Sequence, residues 1–238
     1  PISLFNQGGT SPYLILGDHA GRAIPRSLDK LGLDVSALDL HIAWDIGVAG
    51  LGARLSEKLD ACFIGQAYSR LVIDCNRDLD NEGSIAASSD GIVVPGNQQL
   101  SAADRTARQV AIHRPYHAAI TAELDRRIAR GQPTLLVSAH SFTPVFEGFA
   151  RPWLYGVLHR EDSRLSDRML GLLQEEFGDA VGDNQPYRLD DKDYTVPHHA
   201  DPRQLDYLEL EVRQDLIAEG PGQEKAASLI ARLLSTAA

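Results

Sequence analysis

Cysteine is scarce in this chain. Of its 238 residues only Cys62 and Cys75 are cysteines, and they form no CxxC pair. That argues against a disulfide framework or a cysteine-built structural zinc site; two buried free thiols are expected instead. Positive charge is in deficit as well: 23 Lys and Arg face 33 Asp and Glu, a formal net charge of -10. Such a surface repels phosphate backbones and anionic headgroups, so neither nucleic acid nor a membrane is expected as a partner. No apolar run approaches the ~20 residues that a spanning helix needs. No basic stretch followed by an apolar segment opens the chain, which predicts a cytoplasmic protein. Several chemistries lack their residues too: there is no GxSxG elbow, Walker loop or Rossmann glycine fingerprint, and the eight histidines contain no HExxH pair.

What is present suits an ordinary globular chain. Hydrophobic residues make up 43% and charged residues 24%, enough for one substantial core and too apolar for disorder. No repeat, linker or low-complexity stretch interrupts it, so one domain over residues 1–238 is expected. Short apolar runs predict strands over residues 13–16, 71–73, 134–138 and 154–158, and alternating apolar and acidic residues predict one over 208–212. Helical spacing predicts helices over 36–58, 101–130, 165–177 and 225–234, with Pro115 breaking or kinking the second. Residues 81–97, rich in Gly, Ser and Pro, read as a long functional loop. Strands alternating with helices predict a largely parallel sheet covered on both faces.

In such sheets ligands bind beyond the carboxyl ends of the strands, and the unusual polar residues fall there. His19 and His140 each follow a predicted buried strand within a few residues, among small residues. Two such histidines can offer nitrogen ligands to zinc, with Asp45, on or just before the first helix, as a third ligand. Asn76 and Arg77 follow the expected strand 71–73, and Arg70 precedes it. A planar guanidinium beside an amide can hold a carboxylate; the alternative is a surface pair with Asp74, Asp78 or Asp80. Glu209 and Glu211 share one face of the last strand, where either can serve a metal-activated water as base or simply face solvent.

These residues sit in segments that resemble a known family. Asp18-His19-Ala20-Gly21 with Pro25 is similar to its PHSG…P segment, and Ala43-Trp44-Asp45 to its DTDW. Residues 69–77, Ser-Arg-Leu-Val-Ile-Asp-Cys-Asn-Arg, resemble its SRYVIDLNR. Pro115-Tyr116-His117 matches PYH, Ala139-His140-Ser141 matches AHS, and Leu210-Glu211-Val212-Arg213-Gln214 matches LExxQ. The order is kept from about residue 18 to 214. The family is that of the N-formylglutamate amidohydrolases, distantly similar to zinc carboxypeptidases and aspartoacylase. Ala20 and Ala43 depart from it, standing where the family has serine and aspartate.

The resemblance implies a three-layer α/β/α fold around a mixed, mostly parallel sheet of about eight strands. It implies hydrolysis of the amide of an N-formyl or N-acyl amino acid, a small carboxylate-bearing substrate. By position it implies His19, Asp45 and His140 on one divalent metal, zinc, and Asn76 and Arg77, with Arg70, for the substrate carboxylate. In the carboxypeptidase pattern a carboxylate follows the first histidine by three residues; Arg22 stands there, so Asp45 substitutes. The resemblance selects Glu211 over Glu209 as base. His198 or His199, in the loop before that strand, is placed to stabilise an oxyanion, with His199 the candidate. Two rival functions remain open: a carboxypeptidase- or amidase-like hydrolase of peptide or cell-wall fragments, and a metal-free amino-acid-binding protein.

Overall fold

The computed structural model describes residues 2–160, 163–190 and 192–237. Its centre is a seven-stranded sheet built from β1 (Ile2–Phe5), β2 (Tyr13–Gly17), β3 (Cys62–Gln66), β4 (Leu135–Phe142), β5 (Tyr155–Leu158), β6 (Val181–Asp183) and β7 (Asp206–Arg213). The order is β1-β3-β2-β4-β7-β5-β6. The inner strands β3, β2, β4 and β7 are parallel. β1 runs antiparallel on one edge, and β5 with β6 runs antiparallel to β7 on the other. The fold is therefore the mixed, mostly parallel α/β sheet expected, with seven strands in place of about eight.

The inner strands are buried on both sides because both sides are covered. Tyr13 and Ile15 of β2 pack with Leu51 and Leu55 of α2 (Val48–Leu59), Met169 of α5 (Arg164–Phe177) and Ile230 of α7 (Gly220–Ala237). Leu14 and Leu16 point the other way, into a second core with Ile120 and Leu124 of α4 (Arg114–Ala129) and Val196 of α6 (Thr195–Ala200). The period of two along one strand thus feeds two cores and makes three layers. Fully buried Arg127 of α4 donates to the carbonyls of Ser11, Pro12 and Tyr13 and pairs with Glu123 at 2.8 Å, tying α4 to the start of β2. Among the described residues no helix is long and apolar enough to cross a membrane.

Four expectations are corrected. Residues 71–73 are buried but form no strand. The Leu71 carbonyl accepts from Asn97 Nδ2 and the Val72 carbonyl from Arg108 Nη1, so side chains satisfy a backbone that a neighbouring strand would otherwise pair. The helix expected over 36–58 is a single turn, α1 (Val35–Leu38), then turns, then α2, entered through Gly47 at φ 88°. Asp45 lies in those turns. The long helix does not stop at Pro115: α3 (Ala102–Arg108) continues through a π turn, Gln109–His113, into α4, and this wider turn falls just before the proline, where a backbone donor is missing. Residues 81–97 are not structureless; they hold an Asn81-capped 3-10 turn and a ribbon pairing Ser88–Ser89 with Ile92–Val93.

Candidate active site

The loop after β2 carries Asp18 and His19. It closes tightly against the chain after β3: a Cβ on Gly21 would lie 2.1 Å from the Ala67 carbonyl oxygen, so only glycine lets the two backbones meet. The His19 carbonyl accepts the Asp45 N–H at 2.9 Å, which brings the turn before α2 onto this loop. His140, late in β4, completes the group. Side-chain ligand atoms of His19, Asp45 and His140 all lie within 4.8 Å of one another, and all three residues are buried.

Each histidine is oriented from behind. His19 Nε2 lies 2.7 Å from Asp74 Oδ1, which fixes Nε2 as the protonated nitrogen and leaves the Nδ1 lone pair facing Asp45 Oδ2 at 3.5 Å. That Nδ1 is buried and has no hydrogen-bond partner. His140 Nε2 contacts Ser138 Oγ at 3.0 Å and Asp18 Oδ2 at 3.4 Å, while its Nδ1 meets Asp45 Oδ2 at 3.0 Å. Asp18 is held by Thr195 Oγ1, and Asp74 receives the Asn76 N–H and Arg70 Nη2. Two ring nitrogens and one carboxylate oxygen converge, with carboxylates behind both rings. This donor set fits a zinc-type divalent ion.

The charges agree. Burial pushes the carboxyls of Asp18, Asp45 and Asp74 up, but the neighbouring histidines, with Arg70 beside Asp74, hold all three below the usual range. Burial lowers the two imidazoles, yet the facing carboxylates keep both His19 and His140 above their ordinary value. The three carboxylates are thus balanced by Arg70 and the two imidazoles in their charged form, and a divalent ion would take the place of the imidazole protons.

Glu209 and Glu211 of β7 stand opposite Ser138 and His140 of the parallel β4. Both are buried, and each has one carboxyl oxygen without a partner. Burial pushes Glu211 up to about 7 and Glu209 up to about 8. Their neighbours differ: Glu211 feels the charges of His140, Asp45, His19 and Arg70, while Glu209 feels those of His140, Asp193 and Asp18. Gly156 of β5 makes the space, since a Cβ there would sit 3.2 Å from the Glu211 Cβ and 2.0 Å from the Gln185 carbonyl oxygen. All of this opens into a cleft of about 340 Å³, which Arg70, Asn76 and Arg77 also line.

A family model described as N-formylglutamate amidohydrolase matches residues 11–218. The chain belongs to the N-formylglutamate amidohydrolase family. Among solved structures, gene product Atu2144 from Agrobacterium tumefaciens is 35% identical, with a TM-score of 0.94 over 99% of this chain and 94% of that one. The N-formylglutamate amidohydrolase from Ralstonia eutropha JMP134 shares the fold at a TM-score of 0.71 and 20% identity, over 100% of this chain and 95% of that one. No curated protein sequence matches.

In this amidohydrolase-family chain, Asn76 and Arg77 meet neither Asp74, Asp78 nor Asp80 through their side chains. Arg77 Nη1 donates to Asp193 Oδ1 at 2.9 Å and Asn76 Nδ2 donates to the same oxygen at 3.2 Å. Asn76 Oδ1 accepts the N–H groups of Tyr194 and Thr195 at the start of α6. Arg70 is engaged by Asp74 and Asp45. His199 is corrected in place: it is fully buried in α6, does not line the cleft, and its Nε2 meets His117 Nδ1 at 2.9 Å. His117 Nε2 in turn reaches the Cys75 carbonyl. Burial pushes both rings down to about 3, so they are neutral. His198 is exposed beside Tyr194, away from the cleft. Sequence reasoning missed Asp18, Asp74 as a histidine partner, and Asp193; their signal was position, since Asp18 and Asp74 adjoin His19 and the Asn76–Arg77 pair inside the family segments.

Proposed function

We propose that this protein hydrolyses the amide bond of an N-formyl or N-acyl amino acid in a metal-dependent reaction carried by one domain over residues 1–238. The observation that carries the reading is the convergence of His19 Nδ1, Asp45 Oδ2 and His140 Nδ1, with Asp74 and Asp18 behind the rings and Glu211 alongside. These three residues would hold a divalent ion, zinc in preference, which supplies Lewis acidity for the scissile carbonyl and the attacking water.

The chain's own residues do the rest. Asp74 holds His19 through Nε2 with Nδ1 toward Asp45, and Asp18 supports His140 at Nε2 with its Nδ1 on Asp45, which orients both rings for a metal. Glu211 takes the proton from the attacking water and returns it to the departing amine nitrogen; a pKa near 7 suits both transfers at neutral pH. Its electrostatic neighbours are the proposed ligands themselves, which favours it over Glu209. Arg77 and Asn76 hold the substrate carboxylate by displacing Asp193, and their present hold on the Asp193 carboxylate supports that role. His199 acts from behind: through His117 it steadies the Cys75 carbonyl, next to Asn76. Cytoplasmic residence belongs to the same reading, both thiols being free and buried. The test is to load the purified protein with zinc and screen N-formyl and N-acyl amino acids. Release of free amino acid that a chelator stops and zinc restores is expected; no hydrolysis of any such compound would overturn the reading.

A further inference from the structure

The catalytic cleft is not charged throughout. Ile42, Phe142, Phe146, Leu158 and Tyr187 line part of it. Phe146 also lines a second depression of about 350 Å³, with Phe149, Arg151, Trp153, Gln185 and Pro186. The two cavities therefore adjoin at this ring. Phe146 sits on a short ribbon, where it pairs with Phe149. Arg151 holds the rings in place. Its guanidinium lies 4.8 Å from the ring centroids of both Phe146 and Tyr187 and 5.7 Å from that of Phe142. Arg151 is only 7% exposed, and its Nη1 donates to the Thr143 carbonyl, so the guanidinium is fixed among these rings. The result is a preset aromatic wall. Yet Tyr187 and Phe149 are 42% and 59% exposed, apolar surface that a bound ring would cover.

A formyl group is one carbon and its oxygen. Held over the His19–Asp45–His140 group, it would leave this wall bare and the second depression unused. Cavities that enclose whole organic ligands run from about 300 to 1,000 Å³; the first cleft alone is near the lower bound. On the reading above, Asn76 and Arg77 take the carboxylate of the amino-acid half, and the aromatic wall is then available to the acyl half.

We infer that the acyl half of the substrate carries an aromatic ring, seated against Phe146 and Tyr187 and extending toward Phe149 and Trp153. The inference rests on the amidohydrolase reading above. The reaction is unchanged in kind: water adds to the acyl carbon, the C–N bond breaks, and the nitrogen leaves with a proton. The products are an arylalkyl carboxylic acid and a free amino acid.

The test compares N-formyl-, N-acetyl- and N-phenylacetylglutamate, with N-formylphenylalanine as control, on the zinc-loaded protein and on Phe146→Ala and Phe146→Leu. Calorimetry with N-phenylacetylglutamate and N-formylglutamate on the metal-stripped proteins gives a readout independent of turnover. The phenylacetyl compound should exceed the formyl compound by about tenfold or more in kcat/KM and in affinity. Phe146→Ala should bring both ratios toward one, with Phe146→Leu between. A formyl preference, ratios that ignore Phe146, or N-formylphenylalanine as best substrate would overturn the inference while leaving the amidohydrolase reading intact. If nothing is hydrolysed, that reading fails, and the affinities decide the subsite alone: a ring preference lost in Phe146→Ala supports it, and its absence overturns it.

Discussion

Replacing Glu211 by glutamine should remove activity and add stability. Burial raises this carboxyl from 4.5 to about 7. Between those values the folded protein keeps a proton that the unfolded chain has released, so stability falls as pH rises through the window, and above it the penalty is complete. At ~1.4 kcal/mol per pH unit the displacement amounts to roughly 3 kcal/mol, or about 6–12 °C in Tm for a chain of this length. Glutamine has the same shape and no charge to bury. Metal-stripped Glu211→Gln should therefore melt higher than the parent at about pH 8.5 and at the same temperature near pH 4.5. The zinc-loaded variant should lose ~10²–10⁴ in kcat, the range of general acid–base catalysis, while still binding substrate. Thermal melts at both pH values, with turnover on the best substrate, check both halves. Near-normal turnover would refute the assigned base, and a stability gain that ignores pH would refute the buried-charge argument.

Other substitutions separate the remaining roles. Asp74→Asn removes the charge behind His19 and should weaken zinc affinity ~10–100-fold, read by competition with a chelating dye; because that buried carboxylate also faces Arg70, the metal-free protein should melt lower at neutral pH as well. Arg77→Ala should raise KM for carboxylate substrates ~10–100-fold and leave kcat nearly unchanged, since it removes binding common to ground and transition states. Asp193→Asn should act in the opposite direction and lower KM, because the substrate no longer displaces an anion from Arg77; an increase instead would show that Asp193 is part of the clamp's scaffold.

Much of the site was legible because short segments carry it. Asp18-His19-Ala20-Gly21 and Ala139-His140-Ser141 marked the two histidines of the proposed metal site at the ends of parallel strands, where topology concentrates ligands. The apolar runs of β2 and β4, and the alternation of apolar and acidic residues in β7, were readable because burial of one or both faces sets those patterns. What escaped depended on partners distant in sequence. Nothing local distinguishes Asp74, buried against His19, from Asp78, which faces solvent. Residues 71–73 read as a strand because burial and strand formation give the same three-residue signal; Asn97 and Arg108 make the difference. The apolar spacing across 36–58 is helical in period, but the turn that delivers Asp45 to His19 outweighs it. β1 is a mostly exposed edge strand, and β6 has only three residues, too little for either to show a pattern. His199 lies in a helix whose buried face turns it away from the cleft, which a loop assignment could not reveal.

The central claim is that His19, Asp45 and His140 form a metal site. Its most direct test is the metal content of the protein after incubation with zinc and exhaustive dialysis, measured beside His19→Ala and His140→Ala. The account predicts one zinc per chain in the parent and loss of retention in both variants. A parent that retains no zinc, or variants that retain it equally, would contradict it.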